Sequence, residues 1–241
     1  MRLDLYVFSS NLADSRTSAK SIIVSGNVTV NGSIVTKPSY DVQEGDSVVV
    51  TQQIKKYVSR GGIKLEHALE SFKINVSGRD AIDIGASTGG FTDCLLKHGA
   101  SRVIAVDSGT NQLVRSLRDD DRVTVKENFN ARYMMPSDLV YLPQIAVMDV
   151  SFISATLIIP SIYSCILRNG DFVCLIKPQF EVGRDKLGKN GIVKNESYRN
   201  MAVEKVIKFA ESVGFSCVSV IRSPIEGGDG NVEFLAHFRK L

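Results

Sequence analysis

The sequence predicts an α/β protein with a mostly parallel, seven-stranded sheet and one antiparallel edge strand, preceded by a small α+β domain. From Ala81 onward, apolar strand-like runs alternate with helical segments, a pattern typical of a parallel sheet covered by helices on both sides. The last two runs are joined by SPIEGGDGN, which is too short for a crossover helix, so the final strand is predicted to be antiparallel. The seven runs are AIDIG, RVIAVD, RVTVKE, IAVMDV, DFVCLIKP, SCVSVIR and VEFLAHFR.

Residues 1–50 have a different pattern, which predicts the small α+β domain. After a short first helix, Ser15 can cap a second helix that Gly26 ends. In VTVNGSIV, alternating apolar residues flank Asn31-Gly32, which is the strongest short signal for a β-hairpin. A turn then leads into the strand SVVVT.

Residues 51–62 form a predicted basic linker to a second domain, residues 63–241. The linker contains Lys55, Lys56 and Arg60 and no acidic residue. Such a segment can follow a phosphate backbone, and each contact adds salt-dependent affinity. For any single basic residue, a solvated surface position is the simpler interpretation. The net charge of +3 neither demands nor excludes a nucleic-acid partner.

Composition narrows the function classes. The four cysteines lie far apart without a CxxC pair, so neither a zinc site nor a disulfide framework is indicated, and no bound metal is expected. Asp4 interrupts the apolar stretch that a signal peptide needs. The longest apolar stretch, Ile153 to Leu167, is broken by Pro160 and three serines and is too short to span a bilayer. We therefore expect a cytoplasmic protein that does not enter membranes.

A glycine-rich turn follows the first run of the second domain, in AIDIGASTGGFTD. Gly85, Gly89 and Gly90 would let the backbone approach a ligand closely, and the helix that follows would direct free N–H groups toward that ligand. Ser87, which is also predicted to contact the ligand, stands where a dinucleotide fingerprint has its middle glycine. Asp83, at the end of the run, favours a cationic ligand over a pyrophosphate.

A second acidic residue supports the same pocket. Asp107 ends the next run about twenty residues after the turn, where such an acid accepts both hydroxyls of an adenosine ribose. The order of strand, glycine turn, helix, strand and acid indicates S-adenosylmethionine, with its amino acid and sulfonium groups toward Asp83 and its ribose toward Asp107. Asn130, after the third run, is predicted to lie near the adenine; the alternative interpretation is a turn residue.

Further charged residues end neighbouring runs. Asp149 ends IAVMD and Lys177 follows FVCLI. Because ligands bind outside the carboxyl ends of the strands in open α/β sheets, both residues are predicted to lie at the ligand-binding edge, with Asp149 also near the cofactor. Lys64, just after the linker, and Glu233, at the start of the final strand, are two more candidates.

These motifs are similar to those of the TlyA or hemolysin-A-like family of ribosomal RNA 2′-O-methyltransferases. The resemblance extends from end to end, and residues 1–50 resemble the RNA-binding domain named after the fourth protein of the small ribosomal subunit. The linker holds the family's S-R-G-G but otherwise differs from the family pattern. The similar segments are R-L-D at 2–4, S-R at 15–16, G-x-V-x-V-N-G at 26–32, S-R-G-G-x-K-L at 59–65, D-x-G-A-S-T-G-G-F-T-D at 83–93, D-V-S-F-I-S at 149–154, K-P-Q-F-E at 177–181 and E-G-x-x-G-N-x-E-F at 226–234.

The resemblance implies an FtsJ-like, Rossmann-like methyltransferase fold that binds S-adenosylmethionine. It implies ribosomal RNA or a ribosomal subunit as the partner and a cytidine ribose as the methylated group. The catalytic tetrad that it implies is Lys64, Asp149, Lys177 and Glu233. The basic residues that the N-terminal domain would present to RNA are Arg2, Arg16, Lys20 and Lys37.

The chemistry of the implied reaction fits the tetrad. A ribose 2′ hydroxyl is a weak acid, so its oxygen must be placed in line with the methyl group and its proton accepted. A free lysine, with a pKa of about 10.4, is protonated at neutral pH, but desolvation or a neighbouring cation lowers the pKa of a lysine. We therefore predict Lys177 as the base, Lys64 as the cationic neighbour that steadies the alkoxide, and Asp149 and Glu233 as orienting acids. Without the motif, both lysines would be interpreted as surface residues.

Three other function classes fit part of the pattern. A membrane-active hemolysin is suggested by the second name of the family, but the sequence offers neither a spanning segment nor a strongly amphipathic apolar helix. An RNA-binding module with an inactive methyltransferase fold would have a degraded tetrad, whereas all four residues are present. A nicotinamide oxidoreductase needs the glycine that Ser87 replaces.

Overall fold

The computed structural model describes residues 1–13, 15–51, 56–228 and 230–241. The chain divides into two compact units after residue 55. Lys55 of the predicted linker lies outside the described residues.

The first unit contains two helices and a small antiparallel sheet in its described part. The predicted helix cap is confirmed, because Ser15 Oγ accepts a hydrogen bond of 3.1 Å from the backbone N–H of Ser18. The predicted hairpin is confirmed as well, since Asn31 and Gly32 both adopt the positive φ, 50° and 79°, that such a two-residue turn requires. The elements are α1 (Leu3–Ser9), α2 (Arg16–Val24), β1 (Val28–Val30), β2 (Ser33–Ile34) and β3 (Val48–Val50), with strand order β2-β1-β3.

The second unit is an α/β structure. Its helices and strands, in chain order, are α3 (Gly61–Phe72), β4 (Asp80–Ile84), α4 (Gly90–Lys97), β5 (Arg102–Val106), α5 (Arg115–Arg118), β6 (Val123–Lys126), β7 (Ile145–Met148), α6 (Ile159–Cys165), β8 (Asp171–Ile176), α7 (Pro178–Glu181), α8 (Glu196–Val213), β9 (Phe215–Arg222) and β10 (Phe234–Lys240).

Seven strands of the described second unit form one sheet in the order β6-β5-β4-β7-β8-β10-β9. The strands from β6 to β8 are parallel to their neighbours, and β10 is antiparallel to both β8 and β9. The predicted fold class is therefore confirmed, including the antiparallel direction of the final strand. This strand lies one position in from the edge, because β9 pairs with its outer side.

The sheet is covered on both faces. On one face, Ile82 and Ile84 of β4 belong to a core that includes side chains of α6 and α8. On the other face, Ala81 belongs to a core that includes side chains of α3 and α4. Strands that are buried on both faces are apolar at most positions, which explains why they appear in the sequence as nearly continuous apolar runs.

The structure differs from the sequence-based prediction in two places. Helix α3 begins at Gly61, within the predicted linker of residues 51–62. Between β6 and β7, where a helical segment was expected, the chain forms short 3-10 turns at residues 131–133 and 136–138. Pro136 and Pro143 interrupt this segment, and proline cannot donate the N–H that a helix interior requires.

The parallel strands bring the candidate residues to one edge of the sheet. Each of four parallel strands is followed directly by a candidate residue: β4 by Gly85, β5 by Asp107, β7 by Asp149 and β8 by Lys177. Glu233 directly precedes β10, and since β10 runs in the opposite direction, its start lies at the same edge. This edge is where open α/β sheets bind their ligands.

Candidate active site

Two adjoining cavities of about 310 Å³ each open at this edge of the second unit. The first, here called the lysine cavity, is bordered by Lys64 and Lys177. The second, here called the Asp107 cavity, is bordered by Asp107 and Asn130. The residues that border both cavities are Gly85, Ser87, Asp149 and Ser151.

The four residues of the predicted tetrad lie together as two ion pairs. Lys64 Nζ is 2.5 Å from Glu233 Oε2, and Lys177 Nζ is 2.6 Å from Asp149 Oδ1. Both lysines and Asp149 border the lysine cavity, whereas Glu233 is 2% exposed and reaches the cavity only through Lys64. Two lysine amino groups are thus held beside one cavity, each next to a carboxylate.

The absence of a side chain at Gly227 leaves space for the carboxylate of Glu233. A Cβ atom added to Gly227 would lie 2.5 Å from Glu233 Oε1, which is closer than real Cβ contacts. Any larger residue at position 227 would therefore displace the carboxylate that pairs with Lys64. The glycine of the E-G-x-x-G-N-x-E-F segment thus has a steric function at this site.

Two residues beside Asp149 were missed by the sequence analysis. Ser151 Oγ accepts a hydrogen bond of 2.7 Å from Lys177 Nζ, so Lys177 has two oxygen partners on the segment after β7. Phe152 borders the Asp107 cavity, is 91% exposed and has a φ of 64°, which is unusual for a bulky residue. Both residues belong to the D-V-S-F-I-S motif and lie within three residues of Asp149, and this proximity could have identified them as site residues.

The glycines of the turn after β4 make close contacts with other parts of the protein. A Cβ atom on Gly85, whose φ is 82°, would lie 2.4 Å from the carbonyl oxygen of Asp149. A Cβ atom on Gly90 would lie 2.1 Å from Ser59 Oγ. Gly89 borders neither cavity, so its predicted close approach to a ligand gains no support from the cavities and stays a prediction. Its φ of 100° and a distance of 2.3 Å from an added Cβ to Leu117 explain why glycine is required there.

Asp83 is fully buried and borders neither cavity. Its Oδ2 accepts a hydrogen bond of 2.7 Å from Thr92 Oγ1, and its Oδ1 has no hydrogen-bond partner among the described residues. Burial raises the pKa of Asp83 to about 7; the hydrogen bond from Thr92 opposes this effect, and the negative charges of Asp149 and Asp107 add to it. The expectation that its side chain faces the ligand directly is not met by this geometry.

We expect the Asp83→Asn variant, which keeps the shape of the side chain, to change how stability depends on pH. The pKa of Asp83 rises from 3.8 to about 7 on folding. Below pH 3.8, Asp83 is protonated in both the folded and the unfolded state, so its burial does not require a charge to leave water. As the pH rises from 3.8 through about 7, the unfolded state ionises first, and the folded state loses this stability relative to it. Relative to wild type, the variant should gain about 3 kcal/mol in unfolding free energy between pH 5 and pH 8.

Urea unfolding of both proteins without added ligand, at several pH values, measures this difference. A wild-type curve parallel to that of Asp83→Asn over the whole pH range would contradict the assigned role of Asp83. The Asp119→Asn variant is a suitable control, because Asp119 is an exposed acid of the same unit.

Asp107 and Asn130 are both oriented by the backbone. Asp107 Oδ2 accepts a hydrogen bond of 2.8 Å from the N–H of Ser87, and its Oδ1 accepts one of 2.7 Å from the N–H of Gly109. Asn130 Oδ1 accepts one of 3.1 Å from the N–H of Arg132. Asn130 is thus a turn residue that also borders the Asp107 cavity, so its two interpretations are compatible.

The basic residues predicted to bind RNA in the first unit differ in their surroundings. Arg2 and Arg16 both contact the fully buried Asp4, at 2.9 and 3.3 Å. Hydrogen bonds from Arg2, and then from Arg16, lower the pKa of Asp4 to about 2 despite burial. Lys20 and Lys37 are exposed. The two arginines therefore have a structural role, although about half of each side chain remains accessible.

The described end of the predicted linker packs on the second unit. Tyr57 is 3% exposed, and its hydroxyl donates a hydrogen bond of 2.8 Å to Glu66. Lys56 forms an ion pair with the same carboxylate. Val58 donates its N–H to Asp93, and Arg60 borders the lysine cavity. Residues 56–60 are thus held in place by α3 and α4.

Comparison with known proteins identifies the class to which this fold and site belong. Residues 57–240 match the model of the FtsJ-like methyltransferases, and residues 1–48 match that of the S4 domain. The chain belongs to the FtsJ-like methyltransferase family, together with the TlyA and hemolysin A proteins that share its full length.

Individual relatives cover nearly the whole chain. Hemolysin A of Brachyspira hyodysenteriae is 47% identical over 99% of this chain and 99% of its own length. The 16S/23S rRNA (cytidine-2′-O)-methyltransferase TlyA of Mycobacterium tuberculosis is 41% identical over 99% of this chain and 89% of its own length. A solved structure from Streptococcus thermophilus, of a protein that bears the hemolysin name, is 46% identical with a TM-score of 0.79, covering 100% of this chain and 88% of that one.

In the part of the chain that the structure describes, no helix combines the length and the apolar character that crossing a bilayer requires.

Proposed function

We propose that the chain is an S-adenosylmethionine-dependent ribosomal RNA 2′-O-methyltransferase that modifies a cytidine ribose. The observation that carries this proposal is the pair of lysine–carboxylate contacts at the lysine cavity, next to a second cavity that an acidic residue borders. Family membership and the printed activity of the M. tuberculosis relative agree with it. Because ribosomal RNA is the substrate, the cytoplasm is the proposed location.

The residues of the Asp107 cavity fit the cofactor. Asp107 offers a carboxylate for the ribose hydroxyls, and Asn130 and the apolar Phe129 border the same cavity, where an adenine would lie. Asp83 Oδ1 is a buried acceptor without a partner among the described residues, which favours a cationic group nearby. S-adenosylmethionine, when bound, supplies an electrophilic methyl group on a sulfonium. The residues that border both cavities would hold the methionine portion of the cofactor.

The lysine cavity supplies the groups that act on the ribose. We assign Lys177 as the base that accepts the proton of the 2′ hydroxyl, with Asp149 and Ser151 fixing the direction of its Nζ. We assign Lys64, oriented by Glu233, as the cation that stabilises negative charge developing on the 2′ oxygen. Both lysines border the cavity, so both can reach one bound ribose.

The RNA contacts are assigned to exposed basic residues. Lys20 and Lys37 of the first unit are free to contact phosphates, and the S4 match of residues 1–48 supports RNA as their partner. Arg60 borders the lysine cavity and would contact a phosphate near the target nucleotide. Lys55 and Lys56, which precede Arg60 in the sequence, would add basic charge to this segment, and Arg2 and Arg16 would contribute through their accessible guanidinium edges.

The proposal is tested with the purified chain, radiolabelled S-adenosylmethionine, and ribosomal subunits from cells that lack the corresponding gene. We expect methyl transfer to RNA. Mass spectrometry of the digested RNA should locate the methyl group on the ribose of a cytidine. Free ribosomal RNA is tested in parallel, and the comparison shows whether the enzyme acts on free RNA or on the assembled subunit. Absence of transfer to either substrate by a protein that binds the cofactor would contradict the proposed reaction.

The cofactor assignment makes a separate prediction for Asp107→Asn. The amide nitrogen would face the N–H of Ser87 or Gly109, and one charged acceptor for the ribose would be lost. We expect the cofactor Kd to rise roughly 10- to 100-fold, since hydrogen bonds to charged groups contribute about 1.5–3 kcal/mol. Calorimetric titration measures the Kd, with the exposed Asp119→Asn as control. An unchanged Kd would remove Asp107 from the cofactor site.

A further inference from the structure

A buried acid outside both cavities connects the two segments that carry Lys177 and Asp149. Glu181 ends the short helix α7, four residues after Lys177, and is 7% exposed. It borders neither cavity. A carboxylate that is removed from water must be fully hydrogen-bonded, so its partners indicate which parts of the protein it holds together.

The partners of Glu181 lie on the segment after β7 and on α8. Its Oε1 accepts a hydrogen bond of 2.7 Å from the N–H of Ala155, and its Oε2 accepts one of 2.6 Å from Ser154 Oγ. Lys205 of α8 donates to Oε2 at 3.1 Å and to the Glu181 carbonyl oxygen at 2.9 Å. The carboxylate thus binds a backbone N–H, a hydroxyl and an ammonium group, a combination that an apolar side chain cannot replace.

These bonds form the second of two connections between the same segments. The first is at the cavity, where Lys177 contacts Asp149 and Ser151. The second is formed by Glu181 with Ser154 and Ala155. The segment from Asp149 to Ala155 is therefore fixed at both of its ends to the segment from Lys177 to Glu181.

The region between the two connections needs such support. Phe152 has a φ of 64°, a conformation that costs free energy for a bulky residue and persists only when its surroundings enforce it. Its ring is 91% exposed and contacts Phe180 at a centroid distance of 5.3 Å. Phe180 immediately precedes Glu181, so the position of α7 also determines this contact.

We infer that Glu181 is a positioning residue: from outside the cavity, it fixes Asp149 and Ser151 relative to Lys177 through Ser154 and Ala155. This inference rests on the proposed function, in which Lys177 accepts a proton. A displacement of about 1 Å in such a group can cost roughly 100-fold in rate. Loss of Glu181 should therefore slow the chemical step far more than it weakens cofactor binding.

The test uses Glu181→Ala and the isosteric Glu181→Gln in the full chain. Single-turnover methyl transfer at saturating cofactor is expected to slow roughly 100-fold in Glu181→Ala and about 10-fold in Glu181→Gln, because glutamine keeps an acceptor for Ala155 but loses the charge that binds Lys205. The cofactor Kd should rise by much less than the rate falls, because Glu181 itself borders neither cavity and Asp107 is not among its hydrogen-bond partners.

The matched control is Asp171→Asn. Asp171 is also a buried acid, 3% exposed, at the opposite end of β8, where it binds Arg79, His237 and Arg239. Its replacement should lower the melting temperature yet leave the single-turnover rate within about threefold at a temperature where the variant is folded. A purely structural role for Glu181 would give the same result in its own variants.

The outcomes separate this inference from the proposal beneath it. If the wild-type chain binds the cofactor but transfers no methyl group to RNA, the proposed function fails, and if Lys177→Met retains activity, the assignment of Lys177 as the base fails. If Lys177→Met is inactive while folded Glu181→Gln and Glu181→Ala turn over at wild-type rates, only the inference about Glu181 is overturned. If Glu181→Ala does not fold, the isosteric Glu181→Gln carries the test, and a wild-type rate in that variant overturns the inference.

Discussion

Replacing Lys177 with methionine is expected to reduce methyl transfer by roughly 1,000-fold or more, within the range that a general base contributes. Methionine has a similar length but no nitrogen, so it cannot accept the proton of the 2′ hydroxyl. The cofactor Kd should change little, because Lys177 borders the lysine cavity and not the Asp107 cavity. Single-turnover kinetics and calorimetric titration of the same preparation measure the two quantities.

The control for this experiment is Lys208→Met on α8. The Lys208 side chain is 76% exposed and pairs with the exposed Glu204, so its loss should leave the rate unchanged. A second variant, Lys177→Arg, keeps the charge but has no basic lone pair at neutral pH, and we expect it to be inactive as well. Activity in Lys177→Arg near the wild-type level would show that charge, and not proton acceptance, is what this position contributes.

The parts of the site that could be predicted from sequence follow from strand direction. Asp107, Asp149 and Lys177 each end an apolar run, and parallel strands bring their carboxyl ends to one edge. This reasoning needs only local patterns and the topology of the sheet. The hairpin at Asn31-Gly32 could also be predicted from sequence, because two residues that readily adopt positive φ specify that turn.

The remaining features depend on packing that no local pattern encodes. Lys64 and Glu233 are 169 positions apart, and only the family resemblance suggested that they act together. Asp83 was expected to end its strand, but it lies inside β4, in register with Ala105 of β5, whereas Asp107 follows β5; Asp83 is therefore buried while Asp107 borders a cavity. Gly89 was assigned to the ligand, but its neighbours turn out to be leucine side chains.

The Lys64–Glu233 pair leads to the second large effect, which concerns stability. Lys64 is 8% exposed and Glu233 is 2% exposed, so removing one partner leaves the other charge buried without its counterion. We expect Lys64→Met to lower the free energy of unfolding by about 3 kcal/mol, in line with other buried pairs. Urea unfolding monitored by circular dichroism measures this loss. The exposed pair of Lys208 with Glu204 is the control, and Lys208→Met should cost less than about 1 kcal/mol.

The double variant Lys64→Met with Glu233→Leu separates stability from activity. An apolar pair of similar volume avoids both desolvation costs, so it should recover most of the stability that Lys64→Met loses. Methyl transfer should remain absent in the double variant, because the cation that stabilises the developing charge on the 2′ oxygen is still missing. If activity returned with stability, the pair would be a structural element only. If stability did not return, the two side chains would not be coupled as the 2.5 Å contact indicates.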